Sequence, residues 1–483
     1  MRKPPSNKVK RILKIRAKKL ERMRRARIKK AKNVKRRWLI LYQSNKPYRE
    51  QAKEVRSYLD AINLFMPDNL RYLLQHSNSP FHKPISLSNK KKKIGIIKLP
   101  VTFSILENPK QSYQALNEIV SVLISQKYAE VWIDYQNTQH SDLLTQVFLD
   151  TILKDWDRFW TLCIKAGLER FMRIRSIGGK NYFNDGIARM VNSVGSPTII
   201  LKRKQIYPDL IPFNLRYFNK GEESKSRLGA GDEGDVTLLI EYVNDCLTRI
   251  GKELTPSALD ALGTVLGETV INASEHSSLK SRYLIGYFDY NTINHEDNEE
   301  SHGILHLVIL NYGQSIYEKF KYPMDGIEVN TTCVRQMQDL SDSYTKKGFF
   351  SNNRFKESTL WTLYALQQGV TIIPNANRGN GTVQFIEKFF NLREGDIEDE
   401  SRLYLLSGNT VIEFDGTYKM VNISEGQNNR AIMAFNHQGS LREKPDEKYV
   451  RHTDFFFPGT AVYARISLNT TILKEDSQKY ETA

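Results

Sequence analysis

A carboxylate and a carboxamide stand one helical turn apart in an otherwise apolar segment. The segment runs from Leu266 to His276, reads LGETVINASEH, and places Glu268 and Asn272 four residues apart. This spacing predicts a helix with both side chains on one face. Such a pair is unfavourable in an apolar core, but its oxygens suit a magnesium ion that keeps several waters. The segment predicts a nucleotide site or, alternatively, a polar stripe on an ordinary amphipathic helix.

Two glycine-containing turns follow this segment. The strand-like run HLVIL at 306–310 leads into Asn311-Tyr-Gly313-Gln-Ser315, and Gly379 and Gly381 precede a helix candidate at 383–392. Glycines in such turns let backbone amides approach phosphate oxygens closely. These turns predict ligand contacts at a strand end and at a helix start.

Together with Pro458-Gly-Thr460, these motifs resemble the GHKL ATPases in content and order. That family includes gyrase B subunits, heat-shock chaperones, mismatch-repair ATPases, histidine kinases and MORC proteins, and the resemblance covers roughly Thr255 to Leu473. It implies ATP and magnesium as cofactors. It also implies a C-terminal α/β sandwich with helices on one face of a mixed sheet.

The resemblance implies a role for each matching residue. Asn272 matches the asparagine that coordinates magnesium, and Glu268 matches the glutamate that activates the attacking water, which makes it the catalytic candidate. Thr460 matches the threonine that helps hold adenine. Gly379 and Gly381 match the glycines beside the phosphates.

The chain departs from the family at the first glycine turn. Asn311 stands where the family has an aspartate that accepts a hydrogen bond from adenine, and Ser315 replaces the second glycine, whereas Gly313 is kept. A neutral amide is a weaker acceptor than a carboxylate. Reduced affinity, altered base selectivity or a non-hydrolysing site is therefore the alternative to hydrolysis.

The family uses the region between the two turns as a lid, and here it carries Lys346, Lys347, Arg354 and Lys356. A closing lid could place one of these cations, with Lys347 as the candidate, on the terminal phosphate. The alternative is a solvated loop.

Positive charge is concentrated at the start of the chain. Residues 1–37 hold 19 lysines and arginines and the single acid Glu21, whereas the whole chain carries a net charge of +17, so the remainder is close to neutral. Apolar residues at partly helical spacing predict a basic helix that binds nucleic acid. Its candidate contacts are Arg11, Lys14, Lys18, Arg22, Arg25, Lys29 and Arg36. An acidic membrane surface and a solvated charge run are the alternatives.

The remaining pattern predicts an α+β/α/β multidomain protein. We expect a basic tail, helical or disordered, at 1–47, a helical connector at 48–92, an α/β domain at 93–218, a linker at 219–236, the GHKL-like domain at 237–473 and a disordered end at 474–483. The strand ending in Trp132-Ile-Asp134, followed by a helix, resembles the STAS domains that accompany GHKL kinases. It lacks their phosphate-receiving Asp-Ser turn, so we expect a docking or regulatory layer.

Other features bear on location. No apolar run approaches the length of a membrane span, and the tail lacks a secretory core. Cys163, Cys246 and Cys333 are widely separated, which disfavours a disulfide framework or a zinc site. We expect a cytoplasmic protein.

Two functions fit these expectations. One is an ATP-driven switch or hydrolase, held on nucleic acid by its tail, with ATP-dependent homodimerisation or a protein partner, in phage defence or DNA maintenance. The other is a regulatory protein kinase of STAS/GHKL type, or a non-hydrolysing nucleotide sensor that binds protein partners.

Overall fold

The computed structural model describes twelve parts of the chain. They are residues 43–199, 207–219, 232–249, 252–275, 277–290, 303–324, 329–347, 356–371, 386, 401–425, 428–468 and 473–475. The chain divides into a smaller unit, Met1–Phe65 with Arg158–Met172, and a larger unit, Met66–Asp157 with Arg173–Ala483. Helices alternate with several sheets, so the predicted mixed α and β composition is confirmed.

The described helices longer than one turn are α1 (Lys46–Gln51), α2 (Tyr58–Phe65), α3 (Asp68–Gln75), α4 (Pro109–Ser125), α5 (Leu143–Lys165), α6 (Asp185–Ser193), α7 (Asp232–Thr248), α8 (Pro256–Glu275), α9 (Ile316–Lys321), α10 (Thr331–Lys347) and α11 (Glu357–Ala365). The described strands are β1 (Lys92–Lys98), β2 (Thr102–Phe103), β3 (Tyr128–Asp134), β4 (His140–Ser141), β5 (Ser176–Lys180), β6 (Leu210–Asn219), β7 (Lys252–Leu254), β8 (Ser281–Asp289), β9 (Gly303–Tyr312), β10 (Arg402–Phe414), β11 (Val421–Glu425), β12 (Asn428–Ile432), β13 (Val450–Leu468) and β14 (Leu473–Glu475). No helix of the described residues is long and apolar enough to cross a membrane.

The smaller unit is helical where it is described. At the start of α2, the Ser57 hydroxyl accepts from the Asp60 amide at 3.1 Å and an Asp60 carboxylate oxygen accepts from the Ser57 amide at 2.7 Å. This reciprocal pair satisfies amides that a helix start leaves without partners. Tyr58 packs on Phe171 with ring centroids 6.0 Å apart.

The larger unit begins with a three-stranded parallel sheet in the order β1-β3-β5. Parallel neighbours need crossover connections, and α4 and α5 lie in these connections. The inner face of the sheet is apolar and buried through Ile97, Val131 and Ile133. In α5, the consecutive residues Val147, Phe148 and Leu149 are all fully buried, so this part of the helix is enclosed on more than one side.

A five-stranded sheet follows, in the order β10-β13-β9-β8-β6, with all neighbours antiparallel. Helices α7 and α8 cover one face, where Leu262, Leu266 and Val270 share an apolar core with Leu284 and Phe288. Burial of this apolar surface is the main force that holds the helices on the sheet.

Two predicted boundaries shift. Strand β6 was assigned by sequence to the α/β domain at 93–218, but it pairs with β8, with Phe213 opposite Gly286. The predicted linker at 219–236 ends earlier because α7 begins at Asp232. Strand pairing joins segments that are distant in the sequence. The composition of one segment therefore does not reveal which strand it will pair with.

The second face of the five-stranded sheet is also covered, and every residue of β8 is buried. The hydroxyl of Tyr283 accepts from Asn69 Nδ2 at 2.8 Å and donates to Asp155 at 2.8 Å. Tyr312 lies with its hydroxyl 2.6 Å from that of Thr151 on α5. The expectation of a mixed sheet with helices on one face is therefore corrected. The described strand pairings of this sheet are all antiparallel. The sheet lies between α7 and α8 on one face and elements that include α5 on the other.

Candidate functional site

Helix α8 carries the polar pair on the side opposite its apolar core. Thr255 begins the helix by accepting from the amide of Ala258 at 3.2 Å. Leu262, Leu266 and Val270 are buried, whereas Glu268 and Asn272 are partly exposed. Neither polar side chain has a hydrogen bond or ion pair with another residue in the described parts of the chain. Their oxygens are therefore available to a ligand as far as those parts extend.

The electrostatic setting of Glu268 favours its protonated form. Burial raises the pKa of the Glu268 carboxyl above its usual value, and the charge of Glu275 two turns along raises it further. A carboxylate with a raised pKa is a stronger base once ionised, which is the property that general-base catalysis needs.

Asn311 connects α8 with the last long strand. Its Nδ2 donates to the carbonyl oxygen of Ala273 at 2.8 Å, and its Oδ1 accepts from the amide of Thr460 at 3.3 Å. Asn311 and Thr460 are also register partners in β9 and β13. The structure thus brings Asn311 and Thr460 together beside Ala273, the residue that follows Asn272 in α8. Because Asn311 is 2 % exposed and both polar atoms are engaged within the protein, it is a structural bridge as well as the predicted adenine acceptor.

Two glycines are required at this junction. Gly313 has φ +126°, and a Cβ there would lie 1.9 Å from the hydroxyl oxygen of Ser278. Gly459 has φ +150°, and a Cβ there would lie 2.0 Å from the carbonyl oxygen of Asn311. Side chains are disfavoured by both the dihedral angle and the space, so these glycines let the end of β9 lie close to the middle of β13.

Ser315, which departs from the family pattern, has a clear local role. Its hydroxyl accepts from the amide of Glu318 at 3.2 Å, and Glu318 accepts from the amide of Ser315 at 2.8 Å. This capping box starts α9. The side chain fits because Gly408 lies beside it: a Cβ on Gly408 would be 2.9 Å from that of Ser315. The side chain of Ser315 therefore occupies space that is free because residue 408 is a glycine.

Sequence reasoning missed Ser407, which lies at the same junction. Its hydroxyl accepts from the amide of Ile316 at 2.9 Å and lies 2.9 Å from the hydroxyl of Thr460. The register between β10 and β13 shifts at Ser407 and Gly408. The only sequence signal was a Ser-Gly pair inside an otherwise apolar, strand-like run.

His76 and Glu318 also went unnoticed in the sequence. His76 Nε2 lies 3.2 Å from a carboxylate oxygen of Glu318, and its ring stacks on Phe456 with centroids 5.1 Å apart. Burial alone would raise the pKa of Glu318, but hydrogen bonds from His76 and Ser315 outweigh it and lower that pKa below its usual value. His76, which follows α3, and Ser315 thus both favour the carboxylate form of the residue that caps α9.

Several predicted site residues lie outside the described parts of the chain. These are Gly379 and Gly381, the side chain of Lys347, and the tail residues Arg11, Lys14, Lys18, Arg22, Arg25, Lys29 and Arg36. Lys347 itself is the last residue of α10. Their predicted roles stay predictions.

A scan against protein-family models found no match to this chain, and searches of curated proteins and of solved structures found no significant match. Within the described residues, no group of three or more His, Cys, Asp or Glu side chains could hold a metal ion.

Proposed function

We propose that the chain binds ATP with magnesium through a GHKL-type site and acts as a nucleotide-driven conformational switch. The observation that carries this proposal is that Asn311 bonds both to Thr460, 149 residues away, and to the carbonyl oxygen of Ala273, which follows Asn272 in α8. The order of the motifs, through the resemblance, implies that these residues share a site. A cluster of polar side chains beside accessible oxygens is suited to a ligand that needs a few precisely placed polar contacts, as a nucleotide does.

The residues at this site could complete the coordination of a magnesium ion that a nucleotide holds with its phosphates. Magnesium prefers oxygen ligands, keeps several waters and takes few protein groups when phosphates are present. The side-chain oxygen of Asn272 would supply such a ligand, since no other described residue occupies it. When bound, the ion would neutralise charge on the phosphates. Glu268, one turn earlier in α8, would take a proton from the attacking water.

The proposed switch depends on β9, in which consecutive side chains point to opposite faces of the sheet. Asn311 faces α8, and the next residue, Tyr312, faces α5 of the N-terminal α/β region. His76, which follows α3 in the predicted helical connector, lies 3.2 Å from Glu318. A ligand that binds better to one arrangement of this junction shifts the population towards that arrangement. The α/β region would respond to the nucleotide through these contacts.

In this proposal, the basic tail attaches the switch to nucleic acid. The charge of residues 1–37 supports binding to phosphates with release of counterions. A nucleotide switch anchored on nucleic acid in the cytoplasm would suit antiviral defence or DNA maintenance. A protein partner or a second copy joined on ATP binding is part of the same proposal.

The engagement of Asn311 favours a second candidate, a non-hydrolysing nucleotide sensor. Its amide oxygen already accepts a hydrogen bond from Thr460, and it carries no charge. Both features weaken recognition of the adenine amine relative to a free carboxylate. A sensor would bind nucleotide without turnover.

The test is magnesium-dependent ATP binding by calorimetry together with phosphate release, with and without DNA or RNA. We expect Asn272→Ala to abolish binding and Glu268→Gln to retain binding but lose turnover. Asn244→Ala on α7 and Glu253→Gln on β7 are controls with the same chemistry outside the site, and both should match the natural protein.

The outcomes separate the candidates. Binding without turnover in the natural protein supports the sensor. Turnover that survives Glu268→Gln contradicts the assigned base. Absence of ATP binding by the natural protein contradicts both candidates.

A further inference from the structure

Among the described residues, the three-stranded parallel sheet has one covered face and one face on which apolar side chains stay exposed. In the register of the sheet, Ile94 lies beside Glu130, and Ile96 lies beside Trp132, which has Gly178 on its other side. Ile94 is 46 % exposed and Ile96 50 % exposed, and Trp132 is partly exposed. By contrast, Ile97 and Ile133 on the opposite face are buried. We call the surface formed by Ile94, Ile96 and Trp132 the outer face.

An uncovered apolar face is unusual for this type of sheet. Parallel sheets are almost always covered on both faces, and their strands are apolar for that reason. Contiguous exposed apolar residues mark interaction surfaces more often than isolated ones do. The outer face therefore points to a contact that another molecule completes.

Charge surrounds the outer face asymmetrically. On β1, the same side of the strand presents Lys92 before the two isoleucines and Lys98 after them, and both lysines are exposed. Lys90, Lys91 and Lys93 are exposed at the same end of the strand. None of these lysines forms an ion pair with a residue in the described parts of the chain. On β3, Asp134 is paired with Lys180 at 3.4 Å, which leaves Glu130 as the one unpaired acid on this side of the three strands.

We propose that the outer face docks an amphipathic helix of another protein, with its apolar side on Ile94, Ile96 and Trp132 and acidic flanks on the lysines. The dimensions agree. The seven residues of β1 span roughly 20 Å, which about four helical turns match. The arrangement corresponds to helix-in-groove recognition, in which apolar anchors give affinity and charges set the orientation.

The lysines and the apolar residues of the outer face favour an acidic amphipathic helix over a second copy of the chain and over single-stranded nucleic acid. A second copy would bring a second set of lysines against the first, and like charges across an interface are unfavourable. Single-stranded nucleic acid stacks its bases on aromatic rings, but two of the three anchors are isoleucines. An acidic, apolar helix complements both the lysines and the isoleucines.

Two synthetic helical peptides test the chemistry. They share one leucine face and carry either glutamate or lysine at the polar positions, and binding to the full-length chain is followed by fluorescence anisotropy. We expect the glutamate peptide to bind and the lysine peptide not to bind. Ile96→Glu should weaken binding about tenfold or more, which corresponds to about 1.4 kcal/mol or more. Ile96→Val should retain binding.

The control is Val421→Glu, which changes a similarly exposed residue, 43 % exposed, on β11. It should leave peptide affinity unchanged. No binding of the glutamate peptide, equal binding of both peptides, or equal loss in the Ile96→Glu and Val421→Glu variants would overturn the proposal.

A photo-crosslinking residue at position 96, with position 421 as the control, identifies the occupant in cells. We expect a crosslinked peptide from another protein that is apolar on one helical side and acidic on the flanks. A peptide from a second copy of the chain, a crosslink to nucleic acid, or no crosslink above the control would each contradict the proposal.

Discussion

The hydroxyl of Tyr312 lies 2.6 Å from the hydroxyl of Thr151, which joins the end of β9 to helix α5. Thr151 already donates to the carbonyl oxygen of Phe148 at 2.9 Å, so the proton between the two hydroxyls belongs to Tyr312. The preceding residue, Asn311, donates in the opposite direction to Ala273 of α8. Two consecutive residues thus connect the candidate nucleotide site with the N-terminal α/β region.

Removal of the Tyr312 hydroxyl should weaken this connection. We expect Tyr312→Phe to fold and to lower the free energy of unfolding by about 1 kcal/mol, as measured by urea denaturation. Tyr287→Phe is the control, because the Tyr287 hydroxyl has no hydrogen bond with a residue in the described ranges, and its loss should be smaller. Equal losses in the two variants would contradict the role of the Thr151 contact.

Two glycine substitutions should change stability in opposite directions. Gly459→Ala forces a side chain into a left-handed conformation and against the carbonyl of Asn311, and should destabilise by about 2 to 3 kcal/mol. Gly267→Ala lies within α8 with no atom within 4 Å of the new Cβ, and should stabilise by roughly 0.5 to 1 kcal/mol. Thermal unfolding measures both. A tolerated Gly459→Ala would show that the junction between β9 and β13 is looser than described.

His306 should make the protein sensitive to acid. Burial, followed by the charge of Arg465, lowers the pKa of His306 to about 3. The folded state therefore favours the neutral ring, and the stability that it contributes is complete above the unfolded pKa of about 6.5 and is lost as the pH falls towards 3. Between pH 7 and pH 5 this group should cost about 2 kcal/mol.

The measurement is the difference in unfolding free energy between the natural chain and His306→Phe at several pH values. The Phe variant loses the 3.2 Å contact with Tyr463, but that loss should not depend on pH. A difference that stays constant from pH 7 to pH 5 would show that His306 does not titrate as described.

Deletion of residues 1–37 should remove most binding to DNA and RNA and flatten its dependence on salt, because nearly all the excess positive charge lies there. ATP affinity should be unchanged. Replacement of Lys90, Lys91, Lys92 and Lys93 by alanine is the control for loss of charge elsewhere, and should have a small effect. Unchanged nucleic-acid binding after the deletion would contradict the assignment of the tail.

Elements whose signal is local could be predicted from the sequence. The four-residue spacing of Glu268 and Asn272 within an apolar segment was sufficient to predict a helix with both side chains on one face, and the structure shows that helix. Strand β3, which ends at Asp134, was likewise evident from a short apolar run. These features depend on how apolar and polar side chains repeat within a single segment, and that repeat can be read directly from the sequence.

Which segments meet could be seen only in the folded chain. The bridge from Asn311 to Ala273 and Thr460, the fit of Ser315 beside Gly408, the contact of His76 with Glu318 and the pairing of β6 with β8 all join residues that are distant in the chain. Their partners are chosen by packing and by the need to satisfy buried polar groups, and both depend on the whole fold. No local pattern contains that information, and so the sequence pointed to candidate residues but not to the contacts that connect them.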